Sequence, residues 1–492
     1  VFLKSISEDS HIDLRARAHA EMVEAGFVPD FEPAVIRETQ ASSEKQINQL
    51  DSSLRDLRSL LWSSIDNPDS RDLDQLEYVE RLADGTARVM VAIADVDAYV
   101  PRSSATDRHA STNTTSIYTG IVNYPMLPDI LSFDLTSLVQ DADRLAIVID
   151  LVIDSKGAID KNDVYRGLVR NHAKLDYPTI GDWLESGGTV PEVVSKISGL
   201  KEQLILQNEV QGQIRALRQA QGSLQLHTPE ATTVAADGVV LDLEIVEDNP
   251  ARELIENFMI SGNIGVSHFL ASKNFPSIRR IVKTPERWQR IVEIAATYGE
   301  ALAPEADARA LAKFLIARKK VDALRFPDLS LAIVKLLGRG EYVVEVPGQK
   351  DQGHFALAVH DYTHATAPNR RFPDLATQRL VKAAIAGKPM PYSLNELDEI
   401  ALHCTEREGA AKKLERTMRK VAAAVLLSKH IGEIYDGIVT GVQDGATYAR
   451  LFKPPAEGRI VKGDKGLDIG DKVKLKLIAT DPERAYIDFA RA

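Results

Sequence analysis

The sequence predicts an α+β fold, a mixed sheet with surrounding helices, followed at the C-terminus by an all-β OB-fold barrel. Three observations predict it. Two blocks rich in β-branched residues, 76–100 and 144–169, are interrupted by turn signals such as "ADGT" and "DSKG" and read as sheet. Long helical patterns occupy 191–221, 249–274 and 393–430. From about residue 431 the chain breaks into short alternating strands separated by Gly, Asp and Pro, the rhythm of a five-stranded barrel.

In chain order, residues 1–50 read as a helical lead-in segment. "DLRARAHAEMVEAGF" is amphipathic, and "ETQASSEKQINQLDSSLRDLRSLL" is polar and free of Gly and Pro, so the helical pattern runs on to residue 61. A truncated helix-turn-helix domain is the alternative for this segment. Residues 51–429 form the main domain, and "KPMPYS" marks a break before its last, Lys- and Arg-rich helix. Residues 430–492 form the barrel, where Tyr435, Tyr448 and Phe452 are either stacking rings or core.

At 492 residues the chain is long enough for two to four domains. Its 44% hydrophobic and 27% charged residues fit a globular protein, and the longest apolar runs, such as "LAIVIDLVID", fall short of the roughly 20 residues a membrane span needs. A single cysteine, Cys404, excludes an intrachain disulfide framework and fits a reducing cytoplasm, where it reads as a small hydrophobe. No secretory leader is recognisable, and a start at Val1 suggests a trimmed chain. The net charge of −11 excludes a uniformly positive coat but not a local basic channel.

The stretch "SIDNPDSRDLDQLEYV" carries Asp66, Asp69, Asp72 and Asp74, then Gln75. Carboxylates this close repel unless a cation or solvent relieves them, so the stretch is either a metal site or a wet turn. An extended Asp72-Leu73-Asp74 would present both acids on one face, and "NPDS" supplies the bend that could return Asp66 to them. In "HATAPNRRFPD", Arg370 and Arg371 are either a phosphate clamp or a surface pair bonded to Asp374. His354, His360 and His364 invite a zinc reading, yet nothing else resembles a closed zinc site. Walker and dinucleotide fingerprints are absent.

With its surroundings the acidic stretch resembles the catalytic domain of the ribonuclease II / ribonuclease R (RNB) family. "LRDLRSLLWSSIDNPDSRDLDQLEYV" and "VAIADVDAYV" are similar to its acidic motif and the strand after it. "YTGIVNYPMLPDILSFDLTSLVQDADRLA" resembles its Met-Leu-Pro segment, "ARELIENFMISGNIGVSHFL" its long helix, and "HFALAVHDYTHATAPNRRFPDLATQRL" its arginine signature. The tail resembles the S-one RNA-binding domain. The resemblance implies a processive 3′ to 5′ exoribonuclease acting on single-stranded RNA, releasing 5′-nucleoside monophosphates with magnesium or, in substitution, manganese. It implies a cytoplasmic monomer with no membrane partner. Carried over by position, Asp66, Asp72 and Asp74 are metal-binding acids, with Asp74 central to catalysis. Arg370 holds the scissile-end phosphate, Tyr118 stacks on the terminal base, Glu415 lies near the RNA end, and Phe275 falls near a second stacking ring.

Three departures stand out: position 75, the 367–378 stretch, and the N-terminal cold-shock domains expected of close bacterial relatives, which are not recognisable in residues 1–50. Gln75 replaces the second of two adjacent acids, and Asp69 or Glu77 could compensate. Ala367, Pro368 and Asn369 stand where the family has serine-proline-isoleucine, and Gln378 where it has histidine. They motivate a rival reading, a catalytically weakened RNA-binding regulator. The acids and Arg370 alone would also permit a hydrolase of another phosphate ester.

Overall fold

A computed structural model describes residues 12–43, 54–226, 231–236, 238–323, 325–348, 353–443 and 445–492. The centre of the main domain is a six-stranded sheet. Its strands are β1 (Arg55–Asp56), β2 (Trp62–Asp66), β3 (Gln75–Arg81) and β4 (Ala87–Ala94), then, after the small ribbon β5 (Ile117–Tyr118) and β6 (Asn123–Tyr124), β7 (Asp143–Ile153) and β8 (Ile159–Asp176). The order is β1-β8-β2-β3-β4-β7, and β8 also pairs with β7. β8 runs antiparallel to β7 up to Arg170 and parallel to β2 from Asn171, so the sheet curls back on itself. β4 is apolar on both faces because both are covered, the pattern of an interior strand. The predicted "DSKG" turn joins β7 to β8, with Gly157 at φ +88°.

Helices α1 (Leu14–Glu24) and α2 (Pro33–Ser43) precede the sheet, and α3 (Ala105–Asn113) follows β4. Ala18 and Met22 of α1 share a core with Ala411, Leu414 and Met418, so the lead-in helix docks on the main domain. Residues 1–11 and 44–50 of the expected lead-in lie outside the described residues. The helical pattern expected up to residue 61 is a correction, because residues 55–56 are strand β1. There Leu57 donates its N–H to Leu168 O and Trp62 Nε1 donates to Leu57 O, so pairing with β8 overrides local helix propensity.

After β8 come α4 (Tyr177–Ser186), the single turn α5 (Glu192–Ser195), α6 (Leu200–Gln221), the ribbon β9 (Ala231–Ala236) and β10 (Val239–Ile245), and α7 (Pro250–Ser272). Gly199, at φ +81°, breaks the pattern expected as one helix over 191–221. α7 is capped by Asn249, which accepts from Arg252 N, and begins with Pro250. It lies hard against the sheet at Gly265, where a Cβ would sit 2.7 Å from Leu151 Cδ2. β11 (Ser277–Val282), α8 (Trp288–Thr297), α9 (Ala308–Val321), α10 (Phe326–Leu337) and β12 (Gly340–Glu345) follow, the three helices with a core of their own. α11 (Phe372–Ile385) and α12 (Leu394–Leu427) complete the domain, α12 starting in a Ser393/Glu396 capping box.

The expected barrel is present: β13 (Ile434–Gln443), β14 (Ala446–Leu451), β15 (Glu457–Lys462), β16 (Lys472–Asp481) and β17 (Tyr486–Arg491) close on themselves. Its core, with Val439, Leu475, Leu477 and Phe489, is continuous with Ala423, Ala424 and Leu427 of α12. Tyr448 and Phe452 are exposed, whereas Tyr435 packs against the core and donates its hydroxyl to Glu433. Among the described residues no helix is long and apolar enough to cross a membrane.

Arg379 of α11 ties the domain together. Its guanidinium donates to Asp97 Oδ1 (2.9 Å), Tyr392 OH (2.7 Å) and Val100 O (2.8 Å), and pairs with Asp107 (2.7 Å). Removing one member of a buried pair strands the rest. Arg379→Ala should therefore lower unfolding stability by about 3–5 kcal/mol. A urea midpoint within error of the parent would show that solvent replaces the arginine.

Candidate active site

The acidic stretch is pinned from both sides. Leu73 is buried, its N–H donating to Ser137 Oγ and its C=O accepting from Leu138 N, and Asp74 O accepts from Ala94 N at 3.0 Å. Asp74 has no exposed surface at all, while Asp72 is half-buried and Asp69 lies in solvent. Asp66 ends β2, and its side chain accepts from Asn67 N (2.7 Å) and Ser70 Oγ (2.9 Å), closing the "NPDS" turn.

Two arginines that are adjacent in sequence part company. Arg371 makes a two-pronged pair with Asp374 (2.8 and 2.7 Å), the reading in which it is structural. Arg370 turns the other way, and its Nε donates to Asp74 Oδ2 at 2.5 Å. Asn369 is buried, donating from Nδ2 to Thr136 O and from its backbone N to Asp74 Oδ1. This departure from the family pattern thus holds the arginine turn in place. Gln378 acts similarly, bridging Ala94 O and Asp97 N.

The 114–118 segment is laid along this turn, Ser116 N donating to Arg370 O and Phe372 N to Thr114 O. It delivers Tyr118, 42% exposed, whose hydroxyl donates to Asp72 Oδ2 (3.0 Å) and whose N–H donates to Glu415 Oε1 (3.0 Å). Asp72, Asp74, Tyr118, Arg370 and Glu415 are therefore brought together from four separate segments. Glu415 acts through Tyr118, which makes it a positioning residue. A cavity of about 230 Å³ opens here, lined by Tyr118, Arg370, Arg371, Tyr342, His364 and Glu415.

Burial pushes the Asp74 carboxyl up to about 6; the Asp72 charge adds to this, and Arg370 opposes it. Against the cost of its own burial, Asp74 keeps Arg370 firmly charged. Burial and the neighbouring acids raise the Tyr118 phenol, so it donates rather than ionises.

Among the described residues, no three of His, Cys, Asp and Glu are gathered so as to hold a metal ion. The expected trio of Asp66, Asp72 and Asp74 is therefore not assembled around one point. Asp74 is engaged by Arg370, Asp72 by Tyr118 and Asp66 by its own turn. The zinc reading is likewise corrected: Nδ1 of His354 accepts from Leu357 N, and Nδ1 of His364 is bonded to Tyr342 OH. Phe275 packs at the edge of the main core and does not line the cavity.

Sequence reasoning missed the side of the cavity lined by Tyr342, Glu408 and Lys412, with Arg280 behind them. Arg280 lies over the Tyr342 ring (4.7 Å) and pairs with Glu408, which also pairs with Lys412. These residues come from β11, β12 and α12, and no local motif joins them.

A folded-state value near 6 lies above the ordinary aspartate value of 3.8, so the native protein binds more protons between the two. Stability must then fall as pH rises through that window, by up to about 3 kcal/mol. Arg370 is partly exposed, so water can satisfy it if the carboxylate is removed. Without metal, Asp74→Asn should be more stable than the parent at pH 7 and lose that advantage at pH 4. Equal urea midpoints at pH 7 would mean that Arg370 fully offsets the burial.

Two family models cover most of the chain: the RNB domain over residues 54–387, and the RNase II-type exonuclease C-terminal S1 domain over residues 433–492. Ribonuclease R 1 of Lactococcus lactis is 27% identical across 94% of this chain, which spans 59% of that protein's length. Mycoplasma genitalium RNase R, solved with ribose-methylated single-stranded RNA, superposes with a TM-score of 0.86 at 24% identity, covering 98% of this chain and 78% of that one. Yeast Ssd1, a pseudonuclease, shares the fold at a TM-score of 0.71 and 16% identity, covering 96% of this chain and 58% of that one. With an RNB domain matched over more than half of its length, the chain belongs to the RNB family.

Proposed function

We propose that this chain is a processive exoribonuclease that hydrolyses single-stranded RNA from the 3′ end to 5′-nucleoside monophosphates, acting as a cytoplasmic monomer. The observation that carries the reading is a cavity lined by a guanidinium and an exposed ring, Arg370 and Tyr118, each bonded to an acid behind it, Asp74 and Asp72. Arg370 is matched to a phosphate by its planar fork and can exchange Asp74 for the scissile group. Tyr118 offers a stacking face to any base, which suits a sequence-tolerant enzyme. In the reaction water adds to phosphorus, the P–O3′ bond breaks, and the departing 3′-oxygen takes a proton.

Magnesium, with manganese as substitute, is the proposed cofactor. Asp66, Asp72 and Asp74 offer only oxygen donors, the type magnesium takes alongside phosphate oxygens, and would have to leave their bonds to the 66–70 turn, Tyr118 and Arg370 to share an ion. When bound, the ion supplies an activated water and stabilises developing charge. Asp74, once released by Arg370, is the carboxylate nearest the guanidinium and hence the phosphate.

The test is incubation of the chain with labelled poly(A) and magnesium. Mononucleotide release is expected; binding without shortening would favour the RNA-binding regulator, and neither would favour another phosphate ester. Asp74→Asn should reduce cleavage at least about 100-fold while RNA affinity stays within about threefold, because phosphate and stacking contacts elsewhere supply binding. An equal fall in both would make Asp74 structural. Tyr118→Ala should change the length at which digestion stops more than the rate of the first cut, since one stacking contact, worth roughly 1–3 kcal/mol, matters most on a short residual RNA. End products of unchanged size would remove Tyr118 from base stacking.

A further inference from the structure

Tyr118 is carried by a ribbon too small to hold itself. β5 and β6 pair through two residues each, Ile117 with Tyr124 and Tyr118 with Asn123, and even longer two-stranded hairpins are marginal in water. The base of the ribbon is anchored, since Ile117 is wholly buried in a core shared by α1 and α12. Its tip is a turn closed by one side chain. Thr119 Oγ1 accepts from Ile121 N (3.2 Å) and Val122 N (3.0 Å) and donates to Val122 O (2.6 Å), with Gly120 at φ +79°. A turn bonded three times over is stiff, so whatever supports its tip also fixes Tyr118 beside it.

That support is the second ribbon, β9–β10. A Cβ on Gly120 would sit 2.8 Å from Cβ and 3.0 Å from Oγ1 of Thr233 on β9, so the glycine backbone rests directly on this side chain. Thr233 is buried and its hydroxyl has no hydrogen-bond partner among the described residues, so it serves the contact by shape. Directly opposite it on β10 is Leu243, which belongs to the core of the barrel. Opposed side chains share one face about 5 Å apart at Cβ, so Thr233 stands on a footing anchored in the barrel. A bulge between Val240 and Asp242 turns Val240 to the covered side as well, where it shares a core with Leu14 and Val421 and meets Ile121 of the tip.

We propose that Thr233 is a positioning residue for the 3′-terminal base: packed on Gly120, it holds the tip of the β5–β6 ribbon so that the Tyr118 ring stays in place to receive that base. The assignment rests on the reading of Tyr118 as the stacking ring and adds to it a residue from a remote segment that no motif marks.

Fluorescence of 2-aminopurine at the 3′ end of RNA, bound to the full chain in EDTA so that no cleavage intervenes, reads the stacking directly. Thr233→Gly removes the side chain on which Gly120 rests, and quenching should fall toward the level of Tyr118→Ala. Affinity for an RNA of about four nucleotides should fall at least about threefold, against less than about twofold for one of about twenty, because one stacking contact counts most where few others remain. Thr233→Val keeps the branched shape without the hydroxyl and should match the parent in both. Parent-level quenching in Thr233→Gly, an equal loss for both lengths, or a Thr233→Val that loses as much as Thr233→Gly would overturn the proposal. If Thr233→Gly does not fold, Gly120→Ala approaches the same contact from the turn, and unchanged quenching there overturns the proposal. Tyr118→Ala keeps the two readings apart. Quenching that survives Tyr118→Ala removes the ring from stacking and this role with it, whereas quenching lost in Tyr118→Ala but kept in Thr233→Gly removes only Thr233.

Discussion

One ion pair, a wholly enclosed carboxylate with a partly exposed guanidinium, joins residues 296 positions apart, and the site is built around it. Asp74 is wholly enclosed, and a carboxylate there is tolerable because Arg370 reaches it from the turn that starts α11. That turn is itself over-determined. Ala367 N donates to Asp374, Arg371 clamps the same carboxylate, Asn369 is bound to Thr136, and the 114–118 segment runs alongside. Each contact fixes backbone so that one guanidinium meets one carboxylate. The pair is nonetheless short of full compensation, since Asp74 keeps a raised affinity for its proton. Functional sites commonly hold such uncompensated groups, which the rest of the fold must carry.

The long helix α12 connects this site to the barrel. Cys404, Glu408, Lys412 and Glu415 recur at helical spacing and line the cavity. Ala423, Ala424 and Leu427 then enter the barrel core. From Glu415 to Leu427 the helix rises about 18 Å, so the cavity and the barrel are set apart by a rigid strut. The lead-in helix α1 packs across its middle through Ala18 and Met22. Three regions that look separate in sequence are thus held by one element.

Elsewhere the fold shows which departures from the family pattern are structural. Asn369 and Gln378 engage their side-chain amides with Thr136 at the arginine turn and with backbone groups at the end of β4, and so shape the site's frame. Gln75 is different in kind. It puts an amide where the family has an acid, on a strand whose Glu77 is buried with neither carboxylate oxygen bonded among the described residues.

By itself the sequence determined what local pattern can determine. Period-two and unbroken apolar runs marked the sheet, Gly and Pro turns marked the barrel, the "KPMPYS" break marked the start of α12, and a run of acids with a distant arginine turn marked the site. Strand β1 was not legible, because 55–56 pair with a strand more than a hundred residues away. Nor could the sequence separate Arg370 from Arg371: both precede α11 with Asp374 in reach, and only the approach of Asp74 from another segment assigns them different partners. The same limit hid the gathering of Tyr342, His364 and Glu408, and made three neighbouring acids look like one cluster when each has its own bond. Local propensity is written in adjacent residues, whereas burial, charge partners and unsatisfied groups depend on which remote segments fold against them, and tertiary structure alone decides that.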